Sequence, residues 1–314
     1  MKILITGSNG FIGSNLCKYV SSFYPEFETV GVDINSTNSK KTPTTYFVHG
    51  PYQSEVDLIR SGNFDAVVHL AAITDTLCFN EGLLNTNNVE GTKELARVCA
   101  DTGTFMVFAS SCSIYGQKIR KGRLSVGDEW DPDKSTGPLN PYGKSKQLAE
   151  EGLTNIAGLE YVCFRFSNVF GYGELRKGRM ASYLSQLALQ HISKRKMKLF
   201  KDSVTAKRDY IPVDRVCHTM VQAIIMREVH DNPVYNLGSG TALSFGEVVE
   251  YIAGFEQGAS EVQLIENPHK ALYQYNTLLN VSDLEEAFTL KHLEKCDIFD
   301  SISNLYSLLS RSLK

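Results

Sequence analysis

A short apolar run, Lys2-Ile3-Leu4-Ile5-Thr6, passes directly into Gly7-Ser8-Asn9-Gly10-Phe11-Ile12-Gly13 and then into a segment with the apolar spacing of an amphipathic helix. That junction constrains the fold more than any other stretch. The run has the length of one buried parallel strand. Three glycines at this spacing serve a tight turn, a close approach of backbone to a pyrophosphate and a close helix–strand contact, with the phosphates on the first N–H groups of the helix. Such a pattern is weak in isolation and strong at the end of a first strand. It nominates Gly7, Asn9, Gly10, Phe11, Ile12 and Gly13 as a dinucleotide cradle.

About twenty residues further on, a second strand over Thr29–Val32 ends in Asp33, placed to accept hydrogen bonds from a ribose. A carboxylate there repels a 2′-phosphate, so NAD is favoured over NADP, with Lys40 and Lys41 close enough to offset the preference in part. Strands at Tyr46–Val48, Asp65–Ala72 and Phe105–Ala109 alternate with helices near 54–61 and over about 84–101. Alternation of this kind predicts a doubly wound parallel α/β sheet of Rossmann type. The strand Asp65–Ala72 ends, after Leu70, in the small residues Ala71 and Ala72, which admit a cofactor, and His69 inside it reads as a core histidine.

The strand ending at Ala109 opens into Ser110-Ser111-Cys112-Ser113-Ile114-Tyr115-Gly116, at the end of the sheet where ligands collect. Pro141, a helix-start residue, precedes Tyr142-Gly143-Lys144-Ser145-Lys146. Tyr142 and Lys146 are four apart, on one helical face, and a lysine ammonium beneath the phenol would lower its pKa toward that of a usable base. With 15 tyrosines in the chain, chance alone supplies roughly one Tyr-x-x-x-Lys, so the motif gains meaning from the cradle that accompanies it.

Thr6-Gly7-x-x-Gly10-x-x-Gly13, Asp33, Asn88-Val-x-Gly-Thr92, the serine-rich strand end and Pro141-Tyr142-Gly-x-Ser-Lys146 together resemble the extended short-chain dehydrogenase/reductase family of nucleotide-sugar epimerases and dehydratases. The resemblance implies NAD or NADP held by the cradle together with Leu70, Ala71, Ala72, Asn88, Tyr142 and Lys146, and Ser111 as the catalytic serine. It implies a nucleotide-diphosphate sugar held by Asn168, Arg179, Arg208 and Tyr273. The bidentate guanidinium of Arg208 suits a phosphate, while its plain alternative is an ion pair with Asp209. Lys177-Gly-x-Met-Ala-Ser182, the stretch from Lys198 to Tyr210, and Tyr273-Gln274 are similar to the branch that inverts the sixth carbon of a nucleotide-linked heptose. That likeness implies two acid/base residues, Tyr142 and Lys177; without it, Lys177 between Arg176 and Arg179 is a phosphate contact or a solvated charge. Leu272 stands where that branch is expected to carry arginine.

The expected division is 1–167 for the dinucleotide domain, with 213–238 returning to it, and a smaller, mostly C-terminal lobe over 168–314 for the nucleotide sugar. Ser244-Phe-Gly-Glu247 predicts a capping box at a helix start. The rival functions are a four-position epimerase of UDP-hexoses, a 4,6-dehydratase and a non-catalytic cofactor sensor. Dehydratases of this family carry Asp-Glu where Cys112-Ser113 stands, and a sensor would be expected to have lost Tyr142 or Lys146.

Composition narrows the remainder. A net charge of -3 provides no general attraction to nucleic acid or an anionic membrane, and the basic clusters Lys118–Arg123 and Lys194–Lys201 read as solvated surface. No apolar run approaches the ~20 residues of a membrane span, and a strand beginning at the first residue leaves no room for a secretory signal, so a cytoplasmic protein is expected, as a homo-oligomer. Seven cysteines without Cys-x-x-Cys read as reduced core residues, and no metal site is expected.

Overall fold

Apolar, β-branched stretches bounded by glycine and polar turns become the strands of the computed structural model, which describes residues 1–36, 42–118, 122–227, 234–256 and 261–312. The first half runs β1 (Lys2–Thr6), α1 (Phe11–Phe23), β2 (Glu28–Asp33), β3 (Tyr46–His49), α2 (Tyr52–Gly62), β4 (Ala66–His69), α3 (Glu81–Leu84), α4 (Gly91–Thr102), β5 (Phe105–Ser111) and α5 (Pro141–Thr154). After it come β6 (Tyr161–Phe166), β7 (Asn168–Phe170), α6 (Tyr183–Ile192), β8 (Met197–Phe200), β9 (Lys207–Pro212) and α7 (Val213–Ile225). The chain ends with β10 (Val234–Leu237), β11 (Ala242–Ser244), α8 (Phe245–Ala253), β12 (Val262–Ile265), α9 (Ser282–Ala287) and α10 (Lys295–Ser312).

Seven strands make one sheet in the order β10-β6-β5-β4-β1-β2-β3. β1 pairs in parallel with both β2 and β4, so the direction of winding reverses beside β1, and a crevice opens at the carboxyl ends of these strands. Helices cover the sheet, and Leu4, Val30, Val67, Met106, Phe108 and Cys163 belong to a single buried cluster. Each large apolar side chain so buried contributes about 1.5–3 kcal/mol. The expected return strand at 234–237 is β10, on the sheet's edge.

The helix expected over about 84–101 is broken in two. Between α3 and α4 lies a π-helical turn, Asn85–Glu90, which carries Asn88 and Val89 inward. Such turns re-aim side chains, and apolar periodicity does not register them.

By compactness the chain divides into one unit of Met1–Ile114, Asn140–Arg165 and Asp214–Tyr235, and a second of Tyr115–Leu139, Phe166–Val213 and Asn236–Lys314. The segment 115–139 thus joins the second unit, although the sequence placed it within 1–167. Long-range bonds explain this: Leu124 N–H donates to Leu278 O at 2.8 Å and Gln274 Nε2 to Gly116 O at 2.6 Å. The second unit has its own sheets, β11-β9-β7 and β12-β8, and its own core, which includes Phe170, Leu184, Tyr210, Phe245 and Ile302. The capping box at Ser244 and Glu247 is formed in full.

Five cysteines are buried, whereas Cys78 is half-buried and Cys296 is exposed on α10, so the core reading fails for that last one. The basic stretch at 194–201 is paired as well as solvated: Lys196 meets Glu261 at 2.7 Å and Lys201 meets Glu266 at 2.6 Å. Lys40 and Lys41, and residues 119–121 of the other basic cluster, lie outside the described residues.

Candidate functional site

In the first unit the glycine turn is built as its sequence demands. Gly7 adopts φ +67, and a Cβ there would lie 2.9 Å from Ala71 N; a Cβ on Gly13 would lie 2.2 Å from Gly7 O. Gly10 caps α1 with no side-chain bond to its first N–H groups, whereas α5, α6 and α8 are capped by Asn140, Ser182 and Ser244. An uncapped, glycine-lined helix start is what a pyrophosphate requires. Phe11 is buried behind the turn and Ile12 is half-buried.

Asp33 is held in place by the same turn. Asn9 N–H donates to its Oδ2 at 2.9 Å and Asn35 N–H to its Oδ1 at 2.8 Å, and Thr42 Oγ1 donates to Asn9 Oδ1 at 3.0 Å. Each carboxylate oxygen keeps acceptor capacity for a ribose hydroxyl. The residues present therefore fit a dinucleotide without a 2′-phosphate.

The strand ends beside the turn are joined by a buried chain of polar groups. Thr6 Oγ1 accepts from Leu70 N–H at 3.2 Å and Ala71 N–H at 3.1 Å, leaving its hydrogen for His69 Nδ1 at 2.8 Å. His69 Nε2–H then donates to Thr92 Oγ1 at 3.1 Å, and Thr92 Oγ1 to Asn88 O at 2.8 Å. His69 is the expected core histidine, and burial lowers its pKa to about 3. Asn88 uses its whole amide as a clamp: Oδ1 accepts from Ile73 N–H at 2.8 Å, and Nδ2 donates to Ile73 O at 2.9 Å and Ser145 Oγ at 3.0 Å. It fixes the loop that holds Ala71 and Ala72 against the Tyr142 helix.

Tyr142 and Lys146 are both buried on α5, and Ser111, at the end of β5, lies close enough to the phenol to favour its ionised form. The expected effect of Lys146 on that phenol is not seen. Lys146 Nζ donates instead to Ala109 O at 2.7 Å and lies 4.8 Å over the Phe108 ring. A buried ammonium needs a partner, and the nearest carbonyl on β5 provides one. Burial pushes the Tyr142 phenol up to about 12, with Ser111 acting against it, and burial lowers Lys146 to about 8. One turn beyond, Glu150 accepts from Arg165 Nη2 at 2.6 Å and from Arg165 Nε at 3.1 Å, and also from Ser110 Oγ.

In the second unit Lys177 stands in the 3₁₀ segment Glu174–Met180, exposed at its surface yet crowded enough that burial lowers its pKa, with Glu174 opposing the shift. Glu174, missed in the sequence, is 1% exposed and organises this loop by accepting from Ser182 N–H at 2.5 Å and Ser182 Oγ at 2.9 Å. Arg179 is exposed, and its carbonyl accepts from Gln186 Nε2 at 3.3 Å. Asn168 Nδ2 donates to Asp209 O at 3.0 Å and Thr277 Oγ1 at 3.2 Å.

The alternative ion pair between Arg208 and Asp209 does not form. Neighbours along a strand point to opposite faces, and the Asp209 carboxylate accepts from Ser239 N–H at 2.8 Å, Ser239 Oγ at 2.9 Å and Gly240 N–H at 3.2 Å. Arg208 lies instead 5.0 Å from the centre of the Tyr273 ring and 6.0 Å from that of Phe245. Its Nε and the nearby Tyr210 Oη are buried without a hydrogen-bond partner. An orphaned buried N–H is costly, and the guanidinium is held in that position by its packing against the two rings. Gln117, also missed, bonds Tyr273 O and accepts from Tyr275 N–H at 3.2 Å, holding the Tyr273–Tyr275 segment at both ends. Neither Gln117 nor Glu174 had a sequence signal, because each acts through partners distant in the chain or through burial.

A buried phenol beside a serine at the carboxyl end of a parallel sheet, in the same unit as a helix start left open for phosphate, defines a dehydrogenase/reductase of the short-chain type. The chain belongs to the NAD dependent epimerase/dehydratase family, whose description it matches over residues 3–238. It is 29% identical over 300 residues to the ADP-L-glycero-D-manno-heptose-6-epimerase of Brachyspira hyodysenteriae, covering 91% of each chain. The crystal structure of the Helicobacter pylori ADP-L-glycero-D-manno-heptose-6-epimerase superposes with a TM-score of 0.84 at 25% identity, covering 98% of this chain and 96% of that one. A Thermus thermophilus UDP-glucose 4-epimerase in complex with NAD shares the fold, with a TM-score of 0.83 at 22% identity over 98% of this chain and 99% of that one. With such relatives along its length, the chain is an isomerase of the epimerase type with NAD as cofactor. Among the described residues no helix is long and apolar enough to cross a membrane.

Proposed function

We propose that the chain inverts the sixth carbon of an ADP-linked glycero-manno-heptose through a transient ketone, with Tyr142 and Lys177 as its two acid/base groups. The observation that carries the reading is the placing of Ser111, at the end of β5, beside the buried Tyr142 phenol of α5, where the serine opposes the rise in pKa that burial causes. When bound, NAD supplies a reversible acceptor for the hydrogen of the carbinol carbon. Tyr142 Oη takes the hydroxyl proton of one epimer while the Ser111 hydroxyl donates to the same oxygen. The ketone turns over, and its oxygen then faces a different direction. Lys177, whose pKa burial lowers, exchanges a proton with the oxygen of the other epimer. Arg208 and Asn168 hold the diphosphate, Tyr273 flanks Arg208, and Arg179 adds charge beside the Lys177 loop. The reading takes the enzyme to be a cytoplasmic homo-oligomer, with 168–314 supplying most of the sugar-nucleotide contacts.

Lys177→Met should reduce epimerisation of the ADP-heptose by about 10²–10⁴-fold, the usual weight of a general acid or base. An analogue bearing an aldehyde at the reacting carbon needs no turning over: one molecule is oxidised to the acid, with water supplying the oxygen, and another is reduced to the alcohol. Lys177→Met should retain much of this dismutation, whereas Tyr142→Phe combined with Lys177→Met should have almost none. If Lys177→Met merely raises KM and leaves kcat intact, the lysine is a phosphate contact, and a UDP-hexose 4-epimerase with tyrosine as its one base becomes the better reading.

A further inference from the structure

The Ser111 hydroxyl has one hydrogen and two lone pairs. Its oxygen accepts from Ser113 N–H at 3.1 Å and from Ser113 Oγ–H at 2.9 Å. Both acceptor positions are therefore taken by one residue. The amide donor is immovable, because Ser113 lies in the 3₁₀ turn Cys112–Tyr115 that follows β5 directly.

We propose that Ser113 is a positioning residue that fills both acceptor positions of Ser111 Oγ and so turns the single Ser111 hydrogen toward the Tyr142 phenol oxygen and the substrate oxygen it serves. This rests on the reading of Ser111 and Tyr142 given above. The sign of the effect follows from the two ways a serine can meet a phenol. A serine free to rotate can accept the phenol's own hydrogen, which favours the neutral phenol and holds the proton on it. A serine that can only donate favours the phenolate. With both lone pairs of Ser111 Oγ occupied by Ser113, the serine is left only its hydrogen to offer, and its influence on Tyr142 is in this second sense, opposing the effect of burial. Ser113 touches neither the phenol nor, in this reading, the substrate; its action passes through Ser111.

The test uses the whole protein with its tyrosines replaced by a fluorinated tyrosine, whose more acidic phenol titrates while the fold survives. The fluorine resonance of residue 142 is assigned by its loss in Tyr142→Phe. Ser113→Ala should raise the titration midpoint of that resonance by about half a unit to one unit, and Ser113→Thr, which keeps the hydroxyl, should restore it. In a Ser111→Ala background, Ser113→Ala should add no further shift. With substrate, Ser113→Ala should lower kcat roughly three- to tenfold at unchanged KM, and Ser113→Thr should recover it. An unchanged midpoint in Ser113→Ala, or the same increment with and without Ser111, overturns the proposal. A titration that behaves as described in a protein that turns over no nucleotide sugar supports the positioning role and instead defeats the proposed function.

Discussion

His69 shows how a single buried residue imposes a pH dependence on the protein. With Thr6 donating to Nδ1 and Thr92 accepting from Nε2, the neutral ring is satisfied on both sides, and a proton on Nδ1 would have nowhere to bond. Its folded pKa of about 3 lies below the ordinary 6.5, so between these values the unfolded chain binds a proton that the folded one does not. Stability contributed by the neutral ring is therefore fully present above about pH 6.5 and is lost as pH falls toward 3, by roughly 3 kcal/mol at pH 4. Denaturant unfolding should show that loss in the wild type. The His69→Asn variant, less stable at neutral pH, should have a flatter curve that approaches the wild type's near pH 4, and parallel curves would refute the assignment. The sequence identified His69 as core from its place in an apolar strand, but the tautomer and the low pKa depended on two threonines, one 63 residues and one 23 residues away.

At the scale of elements, α5 concentrates much of the chemistry of the first unit on one face, with Tyr142, Lys146 and Glu150 one turn apart. Glu150 ties this helix to β6 through Arg165, a pair whose side chains are 10% and 4% exposed. Removing one partner of a buried pair leaves the other uncompensated, at a cost of about 3–5 kcal/mol. Glu150→Ala should therefore lower the thermal midpoint strongly, whereas Lys201→Ala, which breaks the exposed pair with Glu266, should cost less than about 1 kcal/mol. Comparable midpoints for the two variants would contradict this ranking. The helix start at Pro141 and the Tyr-x-x-x-Lys spacing were legible because helical period is local. The partner of Lys146 was not, since it is the Ala109 carbonyl on another element.

For the whole molecule, the chain builds one strand, glycine turn and helix of the dinucleotide type among its described residues, at β1 and α1. The hydrogen taken from the reacting carbon must then be returned from the same place. Epimerisation run in deuterated water should leave the inverted carbon unlabelled by mass spectrometry, and deuterium there would indicate enolisation by an external base instead. What the sequence determined by itself was the alternation that winds the sheet, the glycine turn, the place of Asp33 at a strand end, the spacing of Tyr142 and Lys146 on one helical face and the capping box at Ser244, because strand and helix periods and turn chemistry act over a few residues. Only the tertiary structure decided that Arg208 stacks on Tyr273 rather than pairing with Asp209, that Asp209 is satisfied by amides as far away as Leu279, 70 residues on, and that Tyr142 is buried with its phenol held high. Burial and charge partners depend on which distant segments meet, and neither composition nor local spacing carries that information.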